Sequence, residues 1–301
     1  MASRVLVTGA TGFVGRRLVT HLMAAGYEVG AVAIDGRATP ASVEAFCVDV
    51  RDAVALARVV EAFAPDRVVH LAALSHVGES WRRIPDYFAI NVQGAENVFA
   101  AAGGRPKIFM SSAEVYGVVP DDEQPISERR ALGPRTPYAL TKAAAERLAL
   151  AAGATVVRSF NLIGPGQATT FALPDFAAQL AAIERGERPP EIAVGILSAR
   201  RDFVHVDDAV EALTLLVARP EPGEVLNLAS GEDYSISLLL DRLVELSGLA
   251  VTRIEDPTRL RPVDVPRLCG DATRLRALGW MPRRGVDRGL AELLAEARHG
   301  T

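Results

Sequence analysis

The sequence predicts an α/β protein: a doubly wound parallel sheet with helices on both faces, and a smaller C-terminal lobe interleaved with it. Three observations lead there. Apolar runs of strand length alternate with stretches of helical period through the first half of the chain. A glycine-rich turn joins the first run to the first helical stretch. After residue 160 the alternation breaks at glycines and prolines.

Residues 4–8 read as a strand, 13–25 as a helix and 28–34 as a strand. A short strand over 44–48, a helix over 53–63 and a buried strand over 67–71 follow. A long helix is expected over 85–102, then strands over 107–111 and 155–159 separated by a helix over 137–152. Near-continuous apolar runs of this kind suit strands buried on both faces. The loop at 164–166, a helix near 175–185 and the pair Pro189 and Pro190 mark a departure from the sheet. A helix over 207–218 and a strand over 224–228 return to it. From Ile236 a helix, a short strand, a stretch holding Pro257, Pro262 and Pro266, and a final helix complete the chain. The expected units are 1–160 with 203–231, and a smaller lobe of 161–202 with 232–301.

The composition narrows the partners. With 301 residues, 49% of them hydrophobic, and a net charge of -4, the chain gains no affinity for a phosphate backbone from counterion release, so nucleic acid is not an expected partner. No basic leader with an apolar stretch behind it opens the sequence, and no apolar run approaches the roughly 20 residues that span a bilayer. No membrane association is expected, and the setting is read as cytoplasmic. Cys47 and Cys269 lie far apart, the histidines are scattered, and neither set has metal-ligand spacing, which predicts two reduced thiols and no metal.

Gly9-Ala10-Thr11-Gly12-Phe13-Val14-Gly15 lies where the first strand turns into the first helix. Residues without side chains there let the backbone approach a pyrophosphate at the helix N-terminus. Gly9, Thr11, Gly12, Phe13, Val14 and Gly15 are therefore candidate cofactor contacts in a Rossmann-type fold. An acid about 20 residues on normally holds the ribose 2′-hydroxyl of NAD. Here the strand ends at Ala33, with Asp35 two residues later and Arg37 beyond. Without a carboxylate at the strand end, and with Arg37 able to pair with a 2′-phosphate, NADP(H) is favoured and NAD(H) is the alternative.

Tyr138-Ala139-Leu140-Thr141-Lys142 opens a helix, so phenol and ammonium stand one turn apart on one face. A cation near the phenol is expected to lower its pKa towards that of a working acid or base. Only Lys107 and Lys142 are lysines among 33 basic residues, and arginine cannot relay a proton, so Lys142 has a chemical reason to be lysine. Ser112 follows the fifth strand, where open α/β sheets place ligands, and its hydroxyl is a candidate to hold a substrate carbonyl beside Tyr138.

The glycine spacing, Ser112 and the Tyr138/Lys142 pair together resemble the extended short-chain dehydrogenase/reductase family, whose members act on nucleotide sugars. The resemblance implies that Asp49 and Val50 flank the adenine. Leu71, Ala72 and Ala73, after His70, would line the floor near the nicotinamide ribose, with Tyr138 and Lys142 also touching the cofactor. Residues 158–167, 200–203 and 261–280 resemble segments of GDP-4-keto-6-deoxy-D-mannose reductases. By that likeness Asn161, Arg201 and Arg261 hold the nucleotide diphosphate of a GDP-linked substrate. Val77, in a segment similar to epimerases, and Glu114 are the candidates for sugar contact.

Ala113 stands where the related 4,6-dehydratases usually carry an acid, which disfavours dehydration. The expected reaction is reduction of a 4-keto sugar nucleotide, with 4-epimerisation as the alternative. A cofactor sensor without chemistry would typically lack the tyrosine and lysine found here. In the family, the helices at 85–102 and 137–152 pair across a homodimer.

Overall fold

The computed structural model describes residues 2–35, 40, 42–259 and 265–299. The chain begins β1 (Arg4–Thr8), α1 (Gly15–Ala24), β2 (Glu28–Ala33), β3 (Glu44–Cys47), α2 (Ala53–Phe63) and β4 (Arg67–His70). Two short helices follow, α3 (Val77–Ser80) and α4 (Ile84–Phe88). A π-helical turn (Ala89–Gln93) then leads into α5 (Gly94–Ala102), β5 (Lys107–Ser112), α6 (Pro137–Ala151) and β6 (Thr155–Ser159).

The second half contains β7 (Asn161–Ile163), α7 (Ala172–Glu184), β8 (Glu191–Val194), β9 (Arg200–His205), α8 (Val206–Ala218) and β10 (Val225–Leu228). It ends with β11 (Asp233–Ser235), α9 (Ile236–Ser247), β12 (Thr252–Glu255), β13 (Arg267–Leu268), α10 (Thr273–Ala277) and α11 (Val286–His299).

Among the described residues, seven strands form one sheet in the order β10-β6-β5-β4-β1-β2-β3. Each of its pairings is parallel. The α/β, doubly wound expectation holds, and the strand after residue 224 returns to the sheet beside β6 as the sequence suggests. Val5, Val7, Val69 and Ile108 face one apolar layer with α1 and α8; Leu6, Val68, Phe109 and Val156 face the other with α2, α5 and α6. That alternation is the period-2 consequence of strands buried on both sides.

The smaller sheets gather the rest. β9 pairs in parallel with β7 and β13 and antiparallel with β11, while β8 and β12 form a separate parallel ribbon. A third apolar cluster, with Leu180, Leu239, Leu243, Leu290 and Leu294, joins α7, α9 and α11.

Two expectations are corrected. The long helix over 85–102 is interrupted: α4 ends at Phe88 and a π turn intervenes before α5. The extra residue in that turn brings buried Asn91 inward, where its Nδ2 donates to Leu74 O and Thr141 Oγ1, each at 3.0 Å, and its Oδ1 accepts from Leu74 N at 2.8 Å. Such π turns often mark functional sites. The first helix starts at Gly15 rather than residue 13, which leaves Phe13 and Val14 in the turn before it.

α6 positions the site. Thr136 caps it, its hydroxyl accepting from Ala139 N at 3.1 Å, and Pro137 supplies a preset φ at the first helical position. Further along, buried Glu146 accepts from Ser111 Oγ at 2.8 Å and from the Arg158 guanidinium, with Nε to Oε1 at 3.1 Å. Side-chain exposure of this ion pair is 6% for Arg158 and 1% for Glu146, so neither charge can fall back on water. Arg158 also donates to Tyr116 Oη at 3.0 Å, and that phenol donates to Asn227 Oδ1 at 2.6 Å, which joins β6 and β10 to the same network. Removing one partner strands the other, at a typical cost of about 3–5 kcal/mol. We predict that Arg158→Met loses about that much stability in urea unfolding, and that adding Glu146→Met recovers most of the loss. A single variant as stable as the parent would show that the pair does not fix α6.

Candidate active site

The turn from β1 to α1 is built from bare backbone. Gly9 sits at φ +70°, and a Cβ on it would lie 2.7 Å from Ala72 N; a Cβ on Gly15 would lie 2.1 Å from Gly9 O. These two glycines close the turn on itself and on the start of the Ala72-Ala73 segment. Gly12 is exposed at its crest. Unlike α2 and α6, which Asp52 and Thr136 cap, α1 has neither a side-chain cap nor an acid in its first turn. Open N–H groups on a helix N-terminus and a side-chain-free crest fit a pyrophosphate. Thr11, Phe13 and Val14 belong to this turn, and Leu71 and Ala72 flank it after β4.

The strand end lacks an acid, yet Asp35 reaches back and accepts from Thr11 Oγ1 at 2.6 Å, so a carboxylate does lie beside the glycine turn. Arg37 lies outside the described residues. Asp49 is tied up by Arg51, whose Nε donates to both carboxylate oxygens at 3.0 Å, and Val50 is buried against Gly94.

Ser112, Tyr138 and Lys142 come together at the C-terminal end of β5. The Ser112 hydroxyl and the charge of Glu114 both lie close enough to the Tyr138 phenol to act on it. Ser112 Oγ also accepts from Glu114 N at 3.2 Å. Lys142 Nζ donates to Met110 O at 2.6 Å and lies 4.3 Å from the centroid of the Phe109 ring. The ammonium is thus held by a carbonyl and a ring face.

The electrostatics differ from the sequence expectation. Burial pushes the Tyr138 phenol up to about 12; the Ser112 hydroxyl opposes that rise and the Glu114 charge adds to it. Burial also pulls Lys142 down to about 7, with Glu146 opposing. Desolvation, not attraction between phenol and ammonium, dominates both groups. His70 beneath them is pushed down to about 3, by burial first and by Lys142 second. Its Nδ1 is 2.7 Å from Thr8 Oγ1, its ring stacks on Phe109, and its Nε2 has no hydrogen-bond partner among the described residues.

A cavity of about 530 Å³, within the range of small-molecule pockets, opens between the His76–Arg82 segment, the start of α7 and β9. Asn161 and Arg201 line it, and so do His76, Gly78 and Glu79 on either side of Val77. Val77 itself and Glu114 are not in its wall. Arg261 lies outside the described residues, but Arg259 faces the cavity. Two buried polar atoms of lining residues, Trp81 Nε1 and Gln167 Oε1, have no partner among the described residues.

His76 connects the cavity to the phenol. Its Nδ1 accepts from Glu79 N at 3.0 Å, which leaves Nε2–H to donate to Thr170 O, also at 3.0 Å. Its carbonyl accepts from Tyr87 Oη at 2.6 Å, and the Tyr87 ring meets the Tyr138 ring edge-on at 6.4 Å. Sequence reasoning missed Tyr87, Asn91 and Glu146 because an apolar helical pattern gives no sign of which polar member turns inward.

A glycine turn for a dinucleotide at one end of a parallel sheet, with a Ser-Tyr-Lys cluster beside a polar cavity, defines a nicotinamide-dependent oxidoreductase. The chain belongs to the NAD dependent epimerase/dehydratase family, whose model matches residues 5–234. It is 32% identical to the GDP-6-deoxy-D-mannose reductase of Pseudomonas aeruginosa, over 98% of this chain and 97% of that protein. The structure of RMD from Pseudomonas aeruginosa complexed with NADPH superposes with a TM-score of 0.88 at 30% identity, covering 100% of both chains. The UDP-glucose 4-epimerase of Thermus thermophilus in complex with NAD gives 0.88 at 28% identity, covering 99% of this chain and 100% of that one.

Burial of Lys142 makes stability depend on pH. Its folded pKa of about 7 lies below the ordinary 10.5, so between those values the unfolded chain binds more protons than the folded one. The destabilising charge is fully felt below pH 7 and is relieved as pH rises towards 10.5. In the protein without cofactor, Lys142→Met should be more stable than the parent at pH 7, and the difference should shrink by pH 10. Denaturant unfolding of both proteins at the two pH values checks this; an unchanged difference would remove burial of the ammonium as the cause.

Proposed function

We propose that the protein is a nucleotide-sugar 4-ketoreductase acting on a GDP-linked 4-keto-6-deoxyhexose, with a GDP-rhamnose-type product. The observation that carries this reading is the Ser112–Tyr138 pair with Lys142 behind it and buried Ala113 next to it. The cluster can deliver a proton to a carbonyl oxygen, and the alanine offers none for eliminating water. The extensive match to the Pseudomonas reductase supports the substrate.

When bound, the nicotinamide supplies a hydride to C4. The chain's own residues do the rest. Ser112 donates a hydrogen bond to the C4 oxygen and Tyr138 gives it a proton. A phenol held near 12 by burial is protonated at neutral pH, the state a reductase needs at the start of turnover. Lys142, one turn along α6 and pulled down to about 7 by burial, can gain or lose a proton near neutral pH. Asn161, Arg201 and Arg261 hold the diphosphate, and Val77 and Glu114 contact the sugar. Residues 1–160 with 203–231 hold the cofactor, and 161–202 with 232–301 hold the sugar nucleotide.

NADPH is the proposed reductant, supported by the NADPH complex of the similar structure. Asp35 against Thr11 favours NADH as the alternative, because its carboxylate repels a 2′-phosphate. A cytoplasmic setting is supported by the free thiols of Cys47, which is exposed, and Cys269, which is buried. A homodimer through α4 and α6 is supported by exposed Ile84, Phe88 and Leu140 on those helices. Among the described residues no helix is long and apolar enough to cross a membrane. A 4-epimerase is the second reading, supported by the likeness to the Thermus enzyme.

The two reactions differ in their use of cofactor. With a GDP-4-keto-6-deoxyhexose we expect stoichiometric loss of NADPH absorbance; interconversion of C4 epimers without net cofactor consumption would establish the epimerase instead. Tyr138→Phe should lower turnover about 10²-fold or more while cofactor affinity stays unchanged, and near-normal turnover would remove its acid role. Asp35→Asn should raise the ratio of kcat/KM for NADPH over NADH; a fixed ratio would show that Asp35 does not set cofactor choice.

A further inference from the structure

The cavity has a near end and a far end. Asn161 lies two residues beyond Ser159, which is in register with Ser112, so this end adjoins the catalytic cluster. Gly195 and Arg259 line the other end, beside the β8–β12 ribbon, where a Cβ on Gly195 would lie 3.0 Å from Arg259 O. A sugar nucleotide with its sugar at Tyr138 and its diphosphate at Asn161 and Arg201 places its base at this far end.

The polar group fixed there is Asp175, in the first turn of α7, with 19% of its side chain exposed. Its orientation is imposed. Buried Gln179, one turn on, donates Nε2 to Asp175 Oδ2 at 2.7 Å. The same amide is clamped to β8, accepting from Ala193 N at 2.8 Å and donating to Ala193 O at 3.1 Å. Arg259 Nη1 donates to Oδ2 as well, whereas among the described residues Oδ1 has only a long contact of 3.5 Å to Arg259 Nη2. One carboxylate oxygen is thus engaged by the scaffold, which leaves the other for the cavity that Asp175 lines, with Phe171 and Ile196 offering apolar surface for a ring.

We infer that Asp175, held by Gln179 and Arg259, is the residue that selects guanine as the base of the substrate. Oδ1, a single anionic oxygen, can accept from two adjacent N–H groups that converge on it, and among the common bases guanine alone presents an N1–H beside an exocyclic amine. Uracil and thymine set a single N–H between two carbonyls, which a carboxylate repels. Adenine and cytosine set an amine beside an acceptor nitrogen. The Arg259 guanidinium beside Asp175 complements the guanine O6 acceptor on the same edge. This inference rests on the sugar-nucleotide reading above and adds the residue that makes the nucleotide a guanosine one.

Calorimetric titration with GDP, IDP and UDP tests it. IDP lacks only the exocyclic amine, so the unsubstituted protein should bind GDP about tenfold or more tightly than IDP, and UDP more weakly still. In Asp175→Asn, which keeps an oxygen for Gln179, the preference for GDP over IDP should fall to near unity while UDP affinity changes little. Equal binding of GDP and IDP by the unsubstituted protein would overturn the inference without recourse to any variant, as would an Asp175→Asn protein that keeps the full preference. Tighter binding of UDP than of GDP by the unsubstituted protein would instead defeat the GDP-linked substrate itself.

Discussion

Helix α6 turns a polar stripe into the protein's interior, and the end of β5 answers it. Tyr138, Lys142 and Glu146 follow one another at one-turn spacing and are all buried. Three consecutive residues of β5 answer them: the Ser112 hydroxyl neighbours the phenol, the Met110 carbonyl takes the ammonium, and the Ser111 hydroxyl donates to the carboxylate. An unmet polar group in such a place costs about 1–3 kcal/mol, so the register of α6 on β5 is set by polar pairing as much as by apolar contact. The Glu146–Arg158 pair extends the same constraint to β6. Site geometry and helix docking are therefore one problem with one solution.

That arrangement decides which physical effect governs the chemistry. Water is excluded from phenol and ammonium alike, and burial acts oppositely on the two: it favours the neutral acid of Tyr138 and the neutral base of Lys142. A surface Tyr-Lys pair would be dominated by mutual attraction; this pair is dominated by its surroundings. The proton of Tyr138 is consequently kept in place until a substrate oxygen develops charge beside it. The Ser112 hydroxyl already lies close to the phenol, and fixed polar groups of that kind are the preorganisation on which electrostatic catalysis rests.

Much of this was legible in the sequence, for identifiable reasons. The sheet could be read because buried parallel strands are apolar runs and their helices keep a 3.6-residue period; β1, α2 and β6 appear with the expected limits. Glycines could be read because Gly9 and Gly15 have no room for a side chain. The spacing of Tyr138 and Lys142 carried their shared face, but not the direction of the ammonium, which Met110 and Phe109 settle through non-local contacts. Strands as short as β7 and β11 carry no period at all, and the π turn at Asn91 interrupts a pattern that continues on both sides of it. The contact of Asp35 with Thr11 was not legible, because position along the chain does not show that a side chain folds back. Asp175 drew no functional reading from the sequence, because only Gln179 and Arg259, four and 84 residues away, give it a direction.

The distance between the cavity's far end and the phenol imposes a demand of its own. Contacts made to parts of a substrate that do not react are useful to catalysis only if they fix the reacting atom, since binding that is equal in ground and transition states leaves turnover unchanged. A fixed position requires that the cavity wall and the acid not drift relative to one another. The chain supplies that tie at His76: its ring holds the Thr170 segment that leads into α7, its carbonyl holds Tyr87, and Tyr87 packs on Tyr138. Each step is a hydrogen bond or a ring contact, so a nucleotide seated against α7 is referred to the same frame as the phenol. Close and constant placement is what makes a proton transfer between bound groups fast, and here it comes from a histidine that touches neither charge nor proton of the reaction.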